Sequence, residues 1–310
     1  NIGVATGKLS VKEVFGEVAV PILKDTPGFQ ELSLSGAVRL TDYSTSGSVT
    51  TWKVGGTWKP INDLLLRGTL SRDIRAPNLY ELYRGQSSAI SIVLDPVCNA
   101  QTPNNALCNQ NVPQVSGGNP NLKPEISKTL AIGGVFTPAG LPGFSLSIDY
   151  YRINMAGAID AVGGSAQAIL NNCFANAAAP DCALITRPSA TAFPTQVLIS
   201  EANAAFLRTA GVDIDASYRT RIGDDSSLGV RLYANSLSKF DYQSNVTAAP
   251  IHFAGANVVG SNPVSYPRWR GTFSLDYTNG NFGVTLSEQY IGKMSRYLNA
   301  SGYATLSNFV

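Results

Sequence analysis

The chain has 310 residues, with 23 Lys and Arg against 21 Asp and Glu and a net charge of +2, a balance that gives no electrostatic basis for holding nucleic acid. Charged residues make up 14% of it, against roughly 25% in ordinary soluble domains, while glycine is abundant at 29 and methionine scarce at 2. No apolar run reaches the roughly eighteen residues of a membrane-crossing helix, which leaves a membrane-crossing sheet open.

Alternation of apolar and polar residues begins at "VKEVFGEVAV" and recurs down the chain. Leu32, Leu34, Val38 and Leu40 alternate with Ser33, Ser35, Arg39 and Thr41; Trp52, Val54 and Trp58 alternate with Thr51, Lys53, Thr57 and Lys59. In "LLLRGTLS", Leu64, Leu66, Gly68 and Leu70 oppose Leu65, Arg67, Thr69 and Ser71, after which "RDIRAPNLYELYRG" breaks the pattern. It returns with "SKTLAIGGVF", then Phe144, Leu146, Ile148 and Tyr150, then Val212, Ile214 and Tyr218 against Asp213, Asp215, Ser217 and Arg219. "LGVRLYANS", Phe273, Leu275 and Tyr277, "FGVTLSEQY" and the terminal "YATLSNFV" complete about eleven strands, each expected to span roughly nine to twelve residues. The best helical candidate is the short "SAQAILNNCF".

Alternate connections are tight: "PILKDTPGFQ", "PIND", "PAGLPG", "GDDSS" and "TNG". The intervening ones include the long stretches 76–125 and 154–203. In an up-and-down meander alternate connections lie at opposite ends, so one end is trimmed and the other carries large loops. That asymmetry fits an all-β, transmembrane antiparallel up-and-down β-barrel, with a polar face toward the lumen and an apolar face toward lipid. The lipid face should hold Leu66, Leu70, Ile148, Ile214, Leu232, Phe273 and Leu275, with Trp52, Trp58, Tyr150, Tyr218, Trp269 and Tyr277 as an aromatic girdle. A soluble β-sandwich also alternates, but it does not require strict turn asymmetry.

The cysteines fall in two close pairs, Cys98 with Cys108 and Cys173 with Cys182, each inside a long loop. Two local disulfides in an oxidising compartment are expected, with four free thiols as the alternative. Zinc is disfavoured, because no CxxC occurs and the only histidine, His252, is distant. His252 also lacks a nucleophile phrase, so catalysis is not expected. Asp213 and Asp215 read as hydrated lumenal carboxylates neutralised across strands by arginines such as Arg219, Arg231 and Arg270. "NVT" at Asn245 is a glycosylation pattern, expected to be idle.

The phrases "EVFGEVAVPIL", "LSGAVRLTDYS", "TWKVGGTWKPINDLLLRGTLSRDIRAPNLYEL", "GNPNLKPEIS", "SLSIDYYRINMAGAI", "TAGVDIDASYR" and "YPRWRGTFSLDYTNGNFGVTLSEQYIG" resemble, in order, barrel strands of TonB-dependent outer-membrane receptors. "RAPNLYEL" and "NPNLKPE" are the most specific. The resemblance implies a barrel of about twenty-two strands around an N-terminal plug preceded by a TonB box. Residues 1–310 are then expected to be part of that barrel domain, lacking the plug and the last strands. It further implies the outer membrane of a Gram-negative bacterium, contact with membrane lipid, coupling to the TonB complex through the missing N-terminal region, and active uptake of a scarce small molecule such as a siderophore or carbohydrate. No enzyme activity, cofactor or nucleic-acid partner is implied, and a passive porin-like channel is the alternative. At the outer rim and lumen the candidate ligand-binding residues are Arg72, Arg75, Tyr80, Tyr83 and Arg84.

Overall fold

Alternation becomes strand throughout the chain, in a computed structural model that describes residues 6–161, 165–243, 250–259, 264–298 and 305–306. Four strands come first: β1 (Val11–Thr26), β2 (Phe29–Tyr43), β3 (Gly47–Ile61) and β4 (Leu64–Arg75). Within the next connection lie helix α1 (Leu79–Tyr83), β5 (Ser87–Leu94), helix α2 (Pro96–Gln101) and β6 (Asn109–Gly117). Then follow β7 (Glu125–Phe136), β8 (Phe144–Ala161), helix α3 (Ala166–Ala175), β9 (Ile185–Thr186), β10 (Gln196–Ile222) and β11 (Ser226–Gln243). The last are β12 (Ile251–His252), β13 (Ala256–Val259), β14 (Val264–Tyr266), β15 (Trp269–Asn279), β16 (Phe282–Ile291), β17 (Ser295–Leu298) and β18 (Thr305–Leu306).

One antiparallel path runs β1-β2-β3-β4-β7-β8-β10-β11-β15-β16, and among the described residues β1 and β16 each pair on one side only. The sheet is therefore open, as expected of part of a barrel. The expected final strand is corrected: Thr305–Leu306 pairs with β17 in a separate small sheet, and the rest of "YATLSNFV" lies outside the described residues. Tight turns join β1 to β2, β3 to β4, β7 to β8, β10 to β11 and β15 to β16, so all lie at one end, while the long connections lie at the other.

Several strands exceed the expected length. β8 and β11 each have 18 residues and β10 has 27, so the loop expected over 154–203 narrows to the stretch between Ala161 and Gln196. In the upper part of β10, Val197 and Ile199 are buried in the core of the loops packed against it, Leu198 on the other face is half-buried, and bulges beside Ala205 shift the register, so the period-two signal fades although the strand continues.

Register places the two faces. Leu66, Gly134, Ile148, Ile214 and Ala234 form one cross-strand row, and Val54, Leu70 and Leu130 another, so the leucines of β4 share a face with the apolar residues of its neighbours. Leu70, Ile148, Leu232 and Phe273 are exposed on it. Trp58 pairs with Leu66, Tyr218 with Phe144, and Tyr277 with Leu228, so these aromatics lie on that face near the tight turns, while Trp52 and Trp269 lie on it toward the long loops.

The opposite face is polar and internally paired. Arg67 donates from Nε to Oδ1 of Asp149 at 2.8 Å and from Nη2 to Oδ2 at 2.6 Å. Gly133, directly across from Asp149, makes room for that carboxylate: a Cβ there would stand 2.0 Å from Oδ1. Arg231 bridges Asp215 at 2.6 Å, as expected, but Asp213 is satisfied differently, accepting from Asn235 at 2.7 Å. Among the described residues Arg219 and Arg270 form no salt bridge.

Candidate functional site

At the long-loop end, the two phrases most specific in the sequence are bound to each other. Pro77 has no N–H to continue the ladder, so β4 stops and the chain turns into α1. Asn78 caps this helix: its side chain accepts from the N–H of Glu81 at 2.8 Å, and the Glu81 carboxylate accepts from the N–H of Asn78 at 2.8 Å. Arg75 grips two carboxylates. It donates to Glu125 at 2.6 and 2.7 Å and to Glu81 at 3.0 and 3.1 Å, a charge-assisted fork joining the ends of β4 and β7 to the new helix. Glu125, nearly buried, also accepts from the backbone N–H of Ile159 on β8 at 2.7 Å.

"NPNLKPE" closes the other side. The N–H of Asn119 donates to the Glu81 carbonyl at 2.8 Å, and its side chain donates to the Glu201 carbonyl on β10 at 2.9 Å. Asn203 accepts from the N–H of Lys123 at 2.7 Å and donates to the carbonyls of Lys123 at 2.7 Å and Gly157 at 2.9 Å. Gly157 adopts φ of 65°, a left-handed conformation that puts a bulge in β8 and leaves its carbonyl available to Asn203. These two phrases therefore form one rim clasp.

Above the clasp the two long connections fold together. β5 pairs with β6, β6 runs parallel to the top of β10, and α3 lies against both. Their shared core consists of Val93 and Val112 from one loop, Ala166, Ile169 and Leu170 from the other, and Val197 and Ile199 from β10. Helix α3 coincides with the expected "SAQAILNNCF"; Ser165 caps it by accepting from the N–H of Ala168 at 3.2 Å. Gln167 serves as a strand-like amide between the loops, accepting from the N–H of Leu94 at 2.7 Å and donating to its carbonyl at 2.8 Å. Asp95 is fully buried and paired with Arg187 by two bonds of 3.1 Å, which compensates the desolvation of its charge. Cys98 is bonded to Cys108 and Cys173 to Cys182, one bridge in each loop.

The candidate binding residues separate into two groups. Arg75 is committed to the clasp, and Tyr80, Tyr83 and Arg84 lie on the helix it holds or at its end. Tyr80 is 61% exposed, and the mostly buried Arg84 side chain holds its guanidinium 5.1 Å from the Tyr80 ring centre, an aromatic and cationic pair whose ring faces solvent. Arg84 also approaches Glu201 at 3.6 Å, while its buried Nε has no hydrogen-bond partner. Burial raises the Glu201 carboxyl above its ordinary range, an effect that the Arg84 charge partly offsets. Tyr83 packs against Gly7, where a Cβ would come within 2.3 Å of its ring. Arg72 stands apart from all of these, on the leucine face, paired in register with Trp52 and Lys128.

Glu201 and Asn203 escaped the sequence reading, their only signal being the failure of alternation before Val212, while Asn119 stood in "NPNLKPE" with no role assigned to it. His252 contacts Asp241 at 2.7 Å, and among the described residues no cluster of three acidic, His or Cys side chains is arranged to hold a metal. Asn245 lies outside the described residues.

The profile of the family described as TonB dependent receptor-like, beta-barrel matches residues 6–309. No curated protein matches the sequence. Among solved structures, the siderophore receptor PirA from Acinetobacter baumannii is similar with a TM-score of 0.59 at 16% identity, over 92% of this chain and 34% of that one. A mutant of the ferric enterobactin receptor PfeA from Pseudomonas aeruginosa gives 0.60 at 15% identity, over 97% of this chain and 36% of that one. At such identities the likeness concerns the fold, and the chain spans about a third of each receptor's length. With the family profile covering nearly all of it, the chain belongs to the TonB-dependent receptor family, in the β-barrel part.

Proposed function

We propose that this chain forms the ligand-entry side of a receptor that takes up a scarce anionic chelate, of the ferric siderophore kind, by TonB-coupled transport. Membership of the family places the protein in the outer membrane of a Gram-negative bacterium, with the apolar face in lipid and the long-loop end outside. The observation that carries the proposal is the clasped loop module. It stands at the outer end of the sheet and presents Tyr80 and Arg84 together at its lower corner. An aromatic ring beside a guanidinium suits a ligand that is planar in part and negatively charged overall. Transport itself is a conformational cycle, with a plug domain and a TonB box supplied by parts of the receptor outside residues 1–310.

The test is uptake of a radiolabelled ferric siderophore by cells that depend on this receptor under iron limitation. Uptake should stop when the proton gradient is collapsed, and Tyr80→Ala with Arg84→Ala should lower binding roughly tenfold, equivalent to about 1.4 kcal/mol. Uptake that continues without the gradient would instead identify a passive channel.

A further inference from the structure

Arg84 is held firmly by its backbone and used sparingly by its side chain. Its N–H donates to the Tyr80 carbonyl at 3.0 Å, its carbonyl accepts from the N–H of Gly118 at 2.8 Å, and a Cβ on Gly118 would stand 2.6 Å from the Arg84 nitrogen, so the two backbones are in close contact. The side chain leaves donors idle. Nε is buried without a hydrogen-bond partner, and Nη2 stands 3.6 Å from Oε1 of Glu201, near enough for attraction between charges and too far for a hydrogen bond. The guanidinium therefore has a resident counter-ion and keeps capacity for a better acceptor.

That counter-ion stands in negative company. Glu201 is mostly buried on β10, where Asp160 on β8 and Glu81 on α1 oppose its charge and Arg84 favours it. Asp160 accepts from the Tyr242 hydroxyl and from the N–H of Ala161 at 2.8 Å, and Glu81 shares the Arg75 fork with Glu125, so among the described residues two arginines serve four carboxylates at this rim. Asn119, which donates to the Glu201 carbonyl, adds no charge. Burial holds the Glu201 carboxyl above its ordinary range; Arg84 works against this, and Asp160 and Glu81 add to it. Protonation of Glu201 thus stabilises the folded chain, an effect complete below the ordinary carboxylate range and lost as pH rises through the raised one. We infer that Glu201 is a protonable counter-ion that regulates Arg84: ionised, it occupies the guanidinium, and protonated, it leaves the charge of Arg84 free, beside the exposed Tyr80 ring, for an anion from the medium. The inference rests on the reading of Arg84 as a ligand contact, and it makes anion capture tighter as the medium becomes more acidic. A permanent bridge tying α1 to β10 is the competing account, and it gives Arg84 no response to pH.

The experiment uses the whole receptor in detergent with one fluorine atom on the Tyr80 ring, followed by fluorine NMR from about pH 4 to about pH 7. Without any ligand, the signal should move in one step whose midpoint lies above the ordinary Glu range, as Arg84 is released beside the ring. Glu201→Gln should remove the step and hold the signal at its acid position, and Asp160→Asn should lower the midpoint by removing an opposing charge. Sulfate, doubly charged throughout this range, is the anion probe. Its affinity should rise roughly tenfold across the step in the unaltered receptor and stay at the high value in Glu201→Gln. A step that persists in Glu201→Gln, or a sulfate affinity that does not change with pH, overturns the inference. Should Glu201→Gln fail to fold, Asp160→Asn still decides, because an unmoved midpoint in that variant overturns the inference as well. Uptake of a ferric siderophore is scored separately: its absence with the titration intact refutes the uptake reading alone, and its presence without the titration refutes this inference alone.

Discussion

The membrane sheet and the loop module above it are built for different solvents. In the sheet, large apolar side chains such as Leu34, Leu70 and Ile148 stay exposed and are stabilised by lipid, while the polar face is held by pairs such as Arg67 with Asp149. In the module the arrangement is that of a small soluble domain: Val93, Val112, Ile169 and Leu170 are nearly or fully buried, helix ends are capped, and disulfides restrain both loops. The core of the module is too small to rely on hydrophobic burial alone, which is why covalent bridges and a buried ion pair accompany it. One chain thus obeys two opposite rules for where apolar residues belong, and the boundary between them is the rim clasp.

The sharpest way to break that contrast is to empty the module core. Ile169→Ala should cost about 2 to 5 kcal/mol, confined to the module, because the side chain is fully buried and its neighbours belong to three separate segments. Hydrogen exchange should show faster opening of residues 87–117 with the membrane strands unchanged; a uniform effect would mean that module and sheet are one folding unit. In the sheet, Leu275→Arg should cost about 2 to 4 kcal/mol, since Leu275 lies on the lipid face between Val230 and Leu286, as heat-modifiable migration on gels can score. Ser274→Arg, on the lumenal face across from Arg231, should cost under about 1 kcal/mol, and equal costs for the two would reverse the face assignment.

Smaller effects separate the loops from the clasp. Replacing Cys98 and Cys108 by serine should destabilise the first loop by about 2 to 3 kcal/mol, read as faster proteolysis within residues 95–109. Asn78→Ala removes the helix cap and should cost about 1 kcal/mol, read as faster exchange of the α1 amides while the Arg75 fork persists.

How much of this was legible in sequence follows the same boundary. Membrane strands with one apolar and one polar face, such as β4, alternate plainly, and the tight turns revealed their direction. The upper part of β10 was unreadable as strand because Val197 and Ile199 pack into the module, Leu198 between them is apolar too, and bulges beside Ala205 interrupt the period. The β5–β6 hairpin was hidden in the loop for a different reason: Ser91 lies on the buried side beside Val93 and pairs with Gln114, while Ile90 and Ile92 are exposed, so its apolar residues do not mark the buried face. The clasp was visible only as two phrases. Nothing in either reveals that Arg75 meets Glu125 across fifty residues of chain. Arg72 was misleading in the other direction: an arginine beside the rim invites a lumenal role, yet its parity with Leu70 and Leu66 puts it on the outside.

β10 has a mechanical consequence. It runs unbroken from the tight turn at its lower end to its parallel pairing with β6, so a single rod is fixed in the sheet below and in the module above. Along most of that length β8 is hydrogen-bonded beside it, and each ladder bond lost to bending costs about 1 kcal/mol. The module is accordingly a cantilever and not a hinged lid. Displacements at its tip must arise from tilting of the strands that carry it, or from local give at the bulges beside Asn203 and Ala210.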